Sequence, residues 1–360
     1  MLVEYYTKRA KPMKIKLLSI ILISSFLIFT TNCRVNPTSS TAATEHSYEL
    51  ESDIIWASPE GFDLTMDIYT PNAGKKNYPV IVIFHGGGWL INNKSIMKQT
   101  AEYLAENGEY VVCNVNYRLL GDLENTVTIN KIVEDAFGAV LWVKSHIKKY
   151  KGNPKKVIVT GDSAGGHLAM MVTAQGHQLS SEGFDGDDLG FNPTWLPKGK
   201  TAEAIADKDG LKIQAAMLSY GAFDIYNAAK QGFENDNFFW QVGNAKARGM
   251  MGKEYNYRTH PELYKKVSPI YNIPNAADKT LPPLLFTVGS EDNTTPPESI
   301  EKYIDELKAA GHTNIQYWIH ENRPHAFLDS GKNDYLKINF EDDAIPALNK
   351  MLSFLNEIFY

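Results

Sequence analysis

A mostly parallel, doubly wound α/β sheet flanked by helices is the fold class that this sequence predicts. Three observations carry it. Short, continuously apolar and β-branched runs recur along the chain, helical periods lie between them, and a glycine–serine turn joins one run to a helix. Strands covered by helices on both faces read as unbroken apolar runs. Strands alternating with helices build that architecture.

In chain order, "DLTMDIY" (63–69) alternates Leu64, Met66 and Ile68, the period of a half-buried antiparallel strand. Continuous runs follow at 79–84, 110–116, 156–160, 213–218, 283–288 and 315–319. Between them, Ile132, Ala136 and Val140 form one row of a helix over 131–149, beside Val133, Phe137 and Leu141. In 298–310, Ile300, Tyr303, Ile304 and Leu307 share a face, and Gly311 supplies the stop. Ile345, Leu348, Leu352, Leu355 and Phe359 mark a final helix. Two stretches break this rhythm: 178–212, rich in Gly, Asp and Pro, and 224–262, which contains "GFENDNFFWQ". Both exceed an ordinary α/β connection, so both are expected as insertions over the strand C-terminal ends, where ligands bind.

Residues 1–32 stand apart. Lys8, Arg9, Lys11, Lys14 and Lys16 precede an apolar run from Leu17 to Thr31, the pattern of a secretory signal and short for a membrane span. A retained N-terminal anchor helix is the alternative. Cys33 follows directly and opens a polar stretch, which resembles a bacterial lipoprotein signal whose cysteine is acylated; Met13 also reads as a start of such a signal. The expected organisation is a signal at 1–32, a flexible tether at 33–48 and a catalytic-type domain at 49–360. The expected location is the cell envelope or the exterior, with a membrane reached only through a lipid on Cys33.

The chain of 360 residues carries a formal net charge of −6. Setting aside residues 1–32, with five basic residues and Glu4, takes it to −10. No basic stripe remains to follow a phosphate backbone, which excludes a nucleic-acid partner. Cys113, in an apolar run, is the one other cysteine. No disulfide framework and no Cys/His metal pattern follows, so neither metal nor cofactor is expected.

The chemistry centres on "TGDSAGGHLAMM" (160–171), where Ser163 lies between Gly161 and Gly165 after one apolar run and before a helix. Such a turn lifts the hydroxyl clear of the backbone. The hydroxyl is a poor nucleophile until an imidazole takes its proton, and the imidazole needs a carboxylate to hold its tautomer. Glu291 and Asp292 both follow the run 283–288, and His325 follows the run 315–319, each on a loop after a strand. Upstream, "FHGGGW" (84–89) follows the run 79–84. Its backbone N–H groups, joined by that of Ala164, can converge on a developing oxyanion.

These motifs carry a resemblance. "HGGGW", "GDSAGGHLA", "GSED…PP" and "PHAF" resemble the carboxylesterase branch of the α/β-hydrolase fold. They are similar to the hormone-sensitive-lipase-like group and to a bacterial group of feruloyl and acetyl esterases. "VSPIYNI" (267–273) and "NVNYRL" (114–119) also look like the latter, and the likeness covers about residues 50–358. It implies a triad of Ser163, Asp292 and His325, with Gly87, Gly88 and Ala164 as oxyanion donors. It implies an ester substrate, either a small molecule or one linked to a polysaccharide, with a short acyl, acetyl or feruloyl group. A serine exopeptidase on the same fold and a catalytically silent binding module are the alternatives; every triad slot is filled.

Other residues carry plainer expectations. His85 braces its own loop, His167 packs or caps locally, and Asp162 braces the serine turn. His320 lies near the sheet edge, and Asp224 has a structural or pocket-rim role. Phe233, Phe238, Phe239 and Trp240 form either a satellite core or an apolar wall for the substrate, to which Trp89 and Trp195 could add.

Overall fold

A computed structural model describes residues 47–186 and 188–360. The expected signal at 1–32, Cys33 and the tether as far as residue 46 lie outside the described residues. The centre is an eight-stranded sheet in the order β1-β2-β4-β3-β5-β6-β7-β8. The strands are β1 (Tyr48–Ala57), β2 (Leu64–Pro71), β3 (Tyr78–Phe84), β4 (Val111–Val115), β5 (Gly152–Asp162), β6 (Ala215–Ser219), β7 (Leu284–Gly289) and β8 (Ile315–His320). Within this sheet the β1–β2 and β2–β4 pairs are antiparallel, and β3 to β8 run parallel. All seven residues of β3 are buried, as unbroken apolar strands between two helical layers should be.

Five helices frame the sheet: α1 (Lys98–Asn107), α2 (Ile129–His146), α3 (Ala164–Gln175), α4 (Pro297–Ala309) and α5 (Ile345–Phe359). Every residue of α3 is buried, so it shows no polar face. The expected helix at 131–149 stops at His146 and tightens into a 3-10 turn capped by Lys151 at φ 61°. β1 was not foreseen: it begins at Tyr48, the last residue assigned to the tether, and buries only Tyr48 and Trp56. An edge strand with most side chains in water has no apolar pattern to read. The described residues form one compact unit.

The two insertions behave differently. Residues 224–262 hold the short helices Ile225–Lys230 and Phe238–Val242 and reach the loop after β3, where the Phe233 ring meets that of Trp89 at 5.5 Å. This stretch covers strand C-terminal ends, as expected. Residues 178–212 instead lie along α2, a correction to the same expectation. Thr194 N–H donates to the Glu134 carbonyl at 3.1 Å, and the Trp195 ring meets His146 at 5.5 Å. The reason is local chemistry on α2. Glu134 and Asp135 are buried and need partners, and Gly138 admits the backbone of Trp195 within 2.7 Å of where a Cβ would stand.

Candidate active site

The turn after β5 is built from steric necessity. A Cβ on Gly165 would stand 1.9 Å from the Phe84 carbonyl oxygen, and one on Gly161 would stand 2.4 Å from the Gly165 backbone. Only glycine lets β3, β5 and α3 approach so closely. Ser163 between them sits at φ 51°, ψ −114°, a conformation that costs about 1–3 kcal/mol and persists because its surroundings hold it. Its N–H donates to the Ser219 carbonyl at 2.9 Å, and its own carbonyl accepts from His167 N–H at 3.1 Å.

Ser163, Asp292 and His325 come together. The Ser163 hydroxyl donates to His325 Nε2 at 2.9 Å, and His325 Nδ1–H donates to Asp292 Oδ2 at 2.7 Å. Asp292 Oδ1 accepts the N–H groups of Thr294 and Thr295 at 2.8 and 2.9 Å. The loops after β7 and β8 are stitched to each other: Glu291 N–H donates to the Arg323 carbonyl at 3.0 Å and Asn322 N–H to Ser290 Oγ at 2.8 Å. A Cβ on Gly289 would lie 2.1 Å from that same Arg323 carbonyl. The turn aims Asp292 inward and leaves Glu291 exposed.

The glycine loop after β3 faces this chain. Gly87 and Gly88 lie at φ 118° and 57°, and Gly86 leaves no room for a Cβ beside Asp162 Oδ2, which would be 2.2 Å away. Among the described residues, the N–H groups of Gly87, Gly88 and Ala164 donate to no protein acceptor. Three free amides on a glycine loop and a helix N-terminus, beside the Ser163 hydroxyl, form a cradle of positive partial charge.

Known proteins resemble this chain in sequence and in fold. Residues 66–307 match the BD-FAE family, two thirds of the chain. The chain belongs to the BD-FAE family. Over 135 residues it is 30% identical to carboxylesterase NlhH of Mycobacterium tuberculosis, covering 38% of this chain and 40% of that protein. It is 25% identical to esterase LipQ of the same organism over 282 residues, 78% of this chain and 58% of LipQ. The chain therefore spans between 40% and 58% of the length of these two curated relatives. Thermogutta terrifontis esterase 2 phosphorylated by paraoxon superposes with a TM-score of 0.60 at 24% identity, covering 87% of this chain and 95% of that one. That likeness shows the α/β-hydrolase fold. The BD-FAE match ends before His325, which tertiary structure brings to Ser163 from 162 residues away.

The remaining polar residues of this BD-FAE chain have defined places. His85 Nδ1–H donates to the Gly86 carbonyl at 2.8 Å, and its ring stacks on Tyr117 at 4.3 Å. The Tyr117 hydroxyl donates to the His85 carbonyl at 2.5 Å, while Arg118 holds Asp135 through Nε and Nη2 at 2.9 and 2.7 Å. The "NVNYRL" stretch thus ties the glycine loop to α2. Trp89 Nε1–H donates to His167 Nδ1 at 3.2 Å, and His167 Nε2–H donates to the Val267 carbonyl at 2.8 Å. That links the glycine loop, α3 and the "SPI" segment. Burial lowers both His85 and His167 to about 4, so both are neutral at pH 7. Burial pushes Asp162 up to about 6, against the pull of His325, and its Oδ1 has no hydrogen-bond partner. His320 Nε2–H donates to the Asp343 carbonyl at 2.8 Å, and Asp224 Oδ1 caps the helix Ile225–Lys230 by accepting from Asn227 N–H at 2.9 Å.

Two contributors carried no sequence signal. Tyr220, in a left-handed conformation at φ 38°, lays its ring edge against His325 at 4.7 Å. Thr295 donates its hydroxyl to the Tyr220 carbonyl at 2.8 Å and so joins the acid loop to β6. Neither belongs to a recognisable spacing; both follow strands whose ends meet only in the folded sheet. The aromatic group also divides: Trp240 is buried core, Phe238 is 62% exposed, and Phe239 lies on Gly88. Trp89 is buried and committed to His167, and Trp195 sits on α2, so neither of these tryptophans is an open substrate wall. Among the described residues no group of three or more His, Cys, Asp or Glu could hold a metal ion.

Proposed function

We propose that this chain is a serine carboxylesterase working through an acyl-enzyme. The observation that carries it is the continuous hydrogen-bonded chain from Ser163 through His325 to Asp292, beside the undonated amides of Gly87, Gly88 and Ala164. Ser163 Oγ attacks the ester carbonyl while His325 Nε2 takes its proton. The carbonyl oxygen becomes an oxyanion held by the three amides. Collapse expels the alcohol oxygen, to which His325 returns the proton. Water then repeats the sequence on the acyl-enzyme, releasing the carboxylic acid and restoring Ser163. Asp292 keeps the Nδ1–H tautomer and stabilises the imidazolium formed at each step. No cofactor enters this sequence. The names of NlhH and LipQ, a carboxylesterase and an esterase, support the reaction class.

The substrate class proposed is a short-chain ester, with acetyl or feruloyl esters of polysaccharides as the physiological candidates. A lipid on Cys33, after removal of residues 1–32, would hold the enzyme at the cell envelope. The test is p-nitrophenyl acetate hydrolysis together with labelling by a fluorophosphonate probe. The parent should be active and labelled; Ser163→Ala should lose both, leaving only the residual that binding and oxyanion contacts supply. Labelling that persists in Ser163→Ala refutes the assignment of the nucleophile.

A further inference from the structure

Phe239 belongs to the short helix Phe238–Val242 of the second insertion. That helix is held in place from several sides. Asn237 Oδ1 caps it by accepting from Phe239 N–H at 3.0 Å, and the buried Trp240 donates from Nε1 to the Phe233 carbonyl at 2.8 Å. At its far end Gly243 approaches the glycine loop so closely that a Cβ would meet the Leu90 carbonyl at 2.7 Å. On this anchored helix the Phe239 ring lies flat against Gly88: a Cβ there would be 2.8 Å from Cδ1 and 3.0 Å from Cε1 and Cγ. The Phe233 ring backs it at 5.8 Å and itself abuts Trp89. A rigid aromatic wall therefore rises from one of the expected oxyanion donors.

Sheet order says which part of an ester meets that wall. β3, which carries the glycine loop, lies on one side of β5; β6, β7 and β8, which carry Tyr220, Asp292 and His325, lie on the other. In the tetrahedral intermediate on Ser163 the leaving oxygen must face His325 Nε2, because His325 protonates it. The oxyanion faces the glycine loop. The remaining substituent, the acyl chain, is directed away from His325 and towards the side on which Phe239 stands.

Resting on the esterase reading above, we infer that Phe239 limits the acyl group to a small one, so that acetyl and propionyl esters are substrates and longer or aromatic acyl groups are excluded, which keeps acetyl and removes feruloyl from the two candidates named above. A pocket wall that admits or rejects one or two methylenes discriminates by about 10–200-fold.

The test uses two ester series on the full-length protein. The first varies the acyl chain from acetate to octanoate on p-nitrophenol; the second fixes acetate and varies the alcohol. The parent should fall at least about tenfold in kcat/KM from acetate to octanoate. Phe239→Ala should raise the octanoate-to-acetate ratio at least about tenfold, while the alcohol series keeps its order. Phe238→Ala, on the exposed neighbour, should leave both profiles unchanged. A merely structural loss would lower all rates together and leave the ratio fixed, and thermal melts identify a misfolded variant. An unchanged acyl ratio in folded Phe239→Ala, a shift in the alcohol series instead, or a parent that prefers octanoate overturns the inference. A parent inactive on every ester removes the esterase reading and this inference with it; an active parent with an unmoved ratio removes this inference alone.

Discussion

Replacing Asp292 by asparagine tests the proposed mechanism with one atom changed, and the structure dictates how the amide must sit. Asp292 Oδ1 receives two backbone N–H groups, from Thr294 and Thr295 at 2.8 and 2.9 Å, while Oδ2 receives Nδ1–H of His325 at 2.7 Å. An asparagine has one acceptor oxygen and one donor NH2. Turning the NH2 towards the two N–H groups would set three donors against each other in a buried site. The oxygen therefore stays on Thr294 and Thr295, and the NH2 faces His325. His325 must then accept at Nδ1 and carry its proton on Nε2, where it opposes the Ser163 hydroxyl and cannot take its proton. The imidazolium also loses its counter-charge. The same exchange in serine proteases costs about 10⁴ in kcat, equivalent to about 5 kcal/mol of barrier. Asp292→Asn should therefore lose kcat on p-nitrophenyl acetate by about that factor with little change in KM, because the tautomer matters in the transition state. Glu291→Gln should stay within about tenfold of the parent, since Glu291 is exposed and only its backbone is engaged. Steady-state kinetics with thermal melts decides it. An active Asp292→Asn, or an inactive folded Glu291→Gln, refutes the reasoning.

Three further outcomes are expected. Gly165→Ala places a methyl 1.9 Å from a backbone oxygen that cannot move without displacing β3, so it should destabilise by at least about 3 kcal/mol or prevent folding; soluble yield and a melt at the parent temperature would show otherwise. His167 titrates at about 4 in the fold against 6.5 ordinarily, so its contribution to stability is full above about pH 6.5 and is lost as pH falls towards 4. Asp162, raised to about 6, acts with the opposite sign, so the comparison is made within a pair. His167→Gln, which can accept from Trp89 and donate to Val267, should lose about 2–3 kcal/mol less than the parent between pH 7 and 4.5 in denaturant unfolding; equal losses would count against a buried neutral His167. Full-length protein should take up labelled palmitate and partition with membranes, and Cys33→Ser should do neither; unmodified parent in the soluble fraction refutes the lipid anchor.

Much of the site was legible because its requirements are local. Gly161, Gly165 and the run Gly86–Gly88 are where a Cβ would collide with backbone, so the close approaches behind the elbow and the glycine loop leave a mark in the chain itself. The apolar runs of β3 to β8 and the helical rows of α2, α4 and α5 follow from burial on known periods, and they suffice for a parallel sheet between helices. The chain order of serine, acid and histidine on successive strand ends was also visible. Edge and surface elements were not: β1 is largely in water, and α1 ("KQTAEYLAEN") buries only Thr100, Ala101, Leu104 and Ala105, too few to stand out.

What the sequence determined by itself is the fold class, the nucleophile turn, the glycine loop and a short list for the acid and the base. Tertiary structure alone decided that Asp292 rather than Glu291 meets His325, because adjacent residues on a turn point apart and only the stitched loops after β7 and β8 say which points inward. It decided that 178–212 lies along α2, where buried Glu134 and Asp135 require partners, while 224–262 stands over the glycine loop. It also placed Phe239 on Gly88 and Tyr220 on His325, contacts between elements separated by 151 and 105 positions in the numbering. Such contacts leave no period or spacing behind them, since the chain between their partners is free to vary in length as long as the sheet brings the ends together.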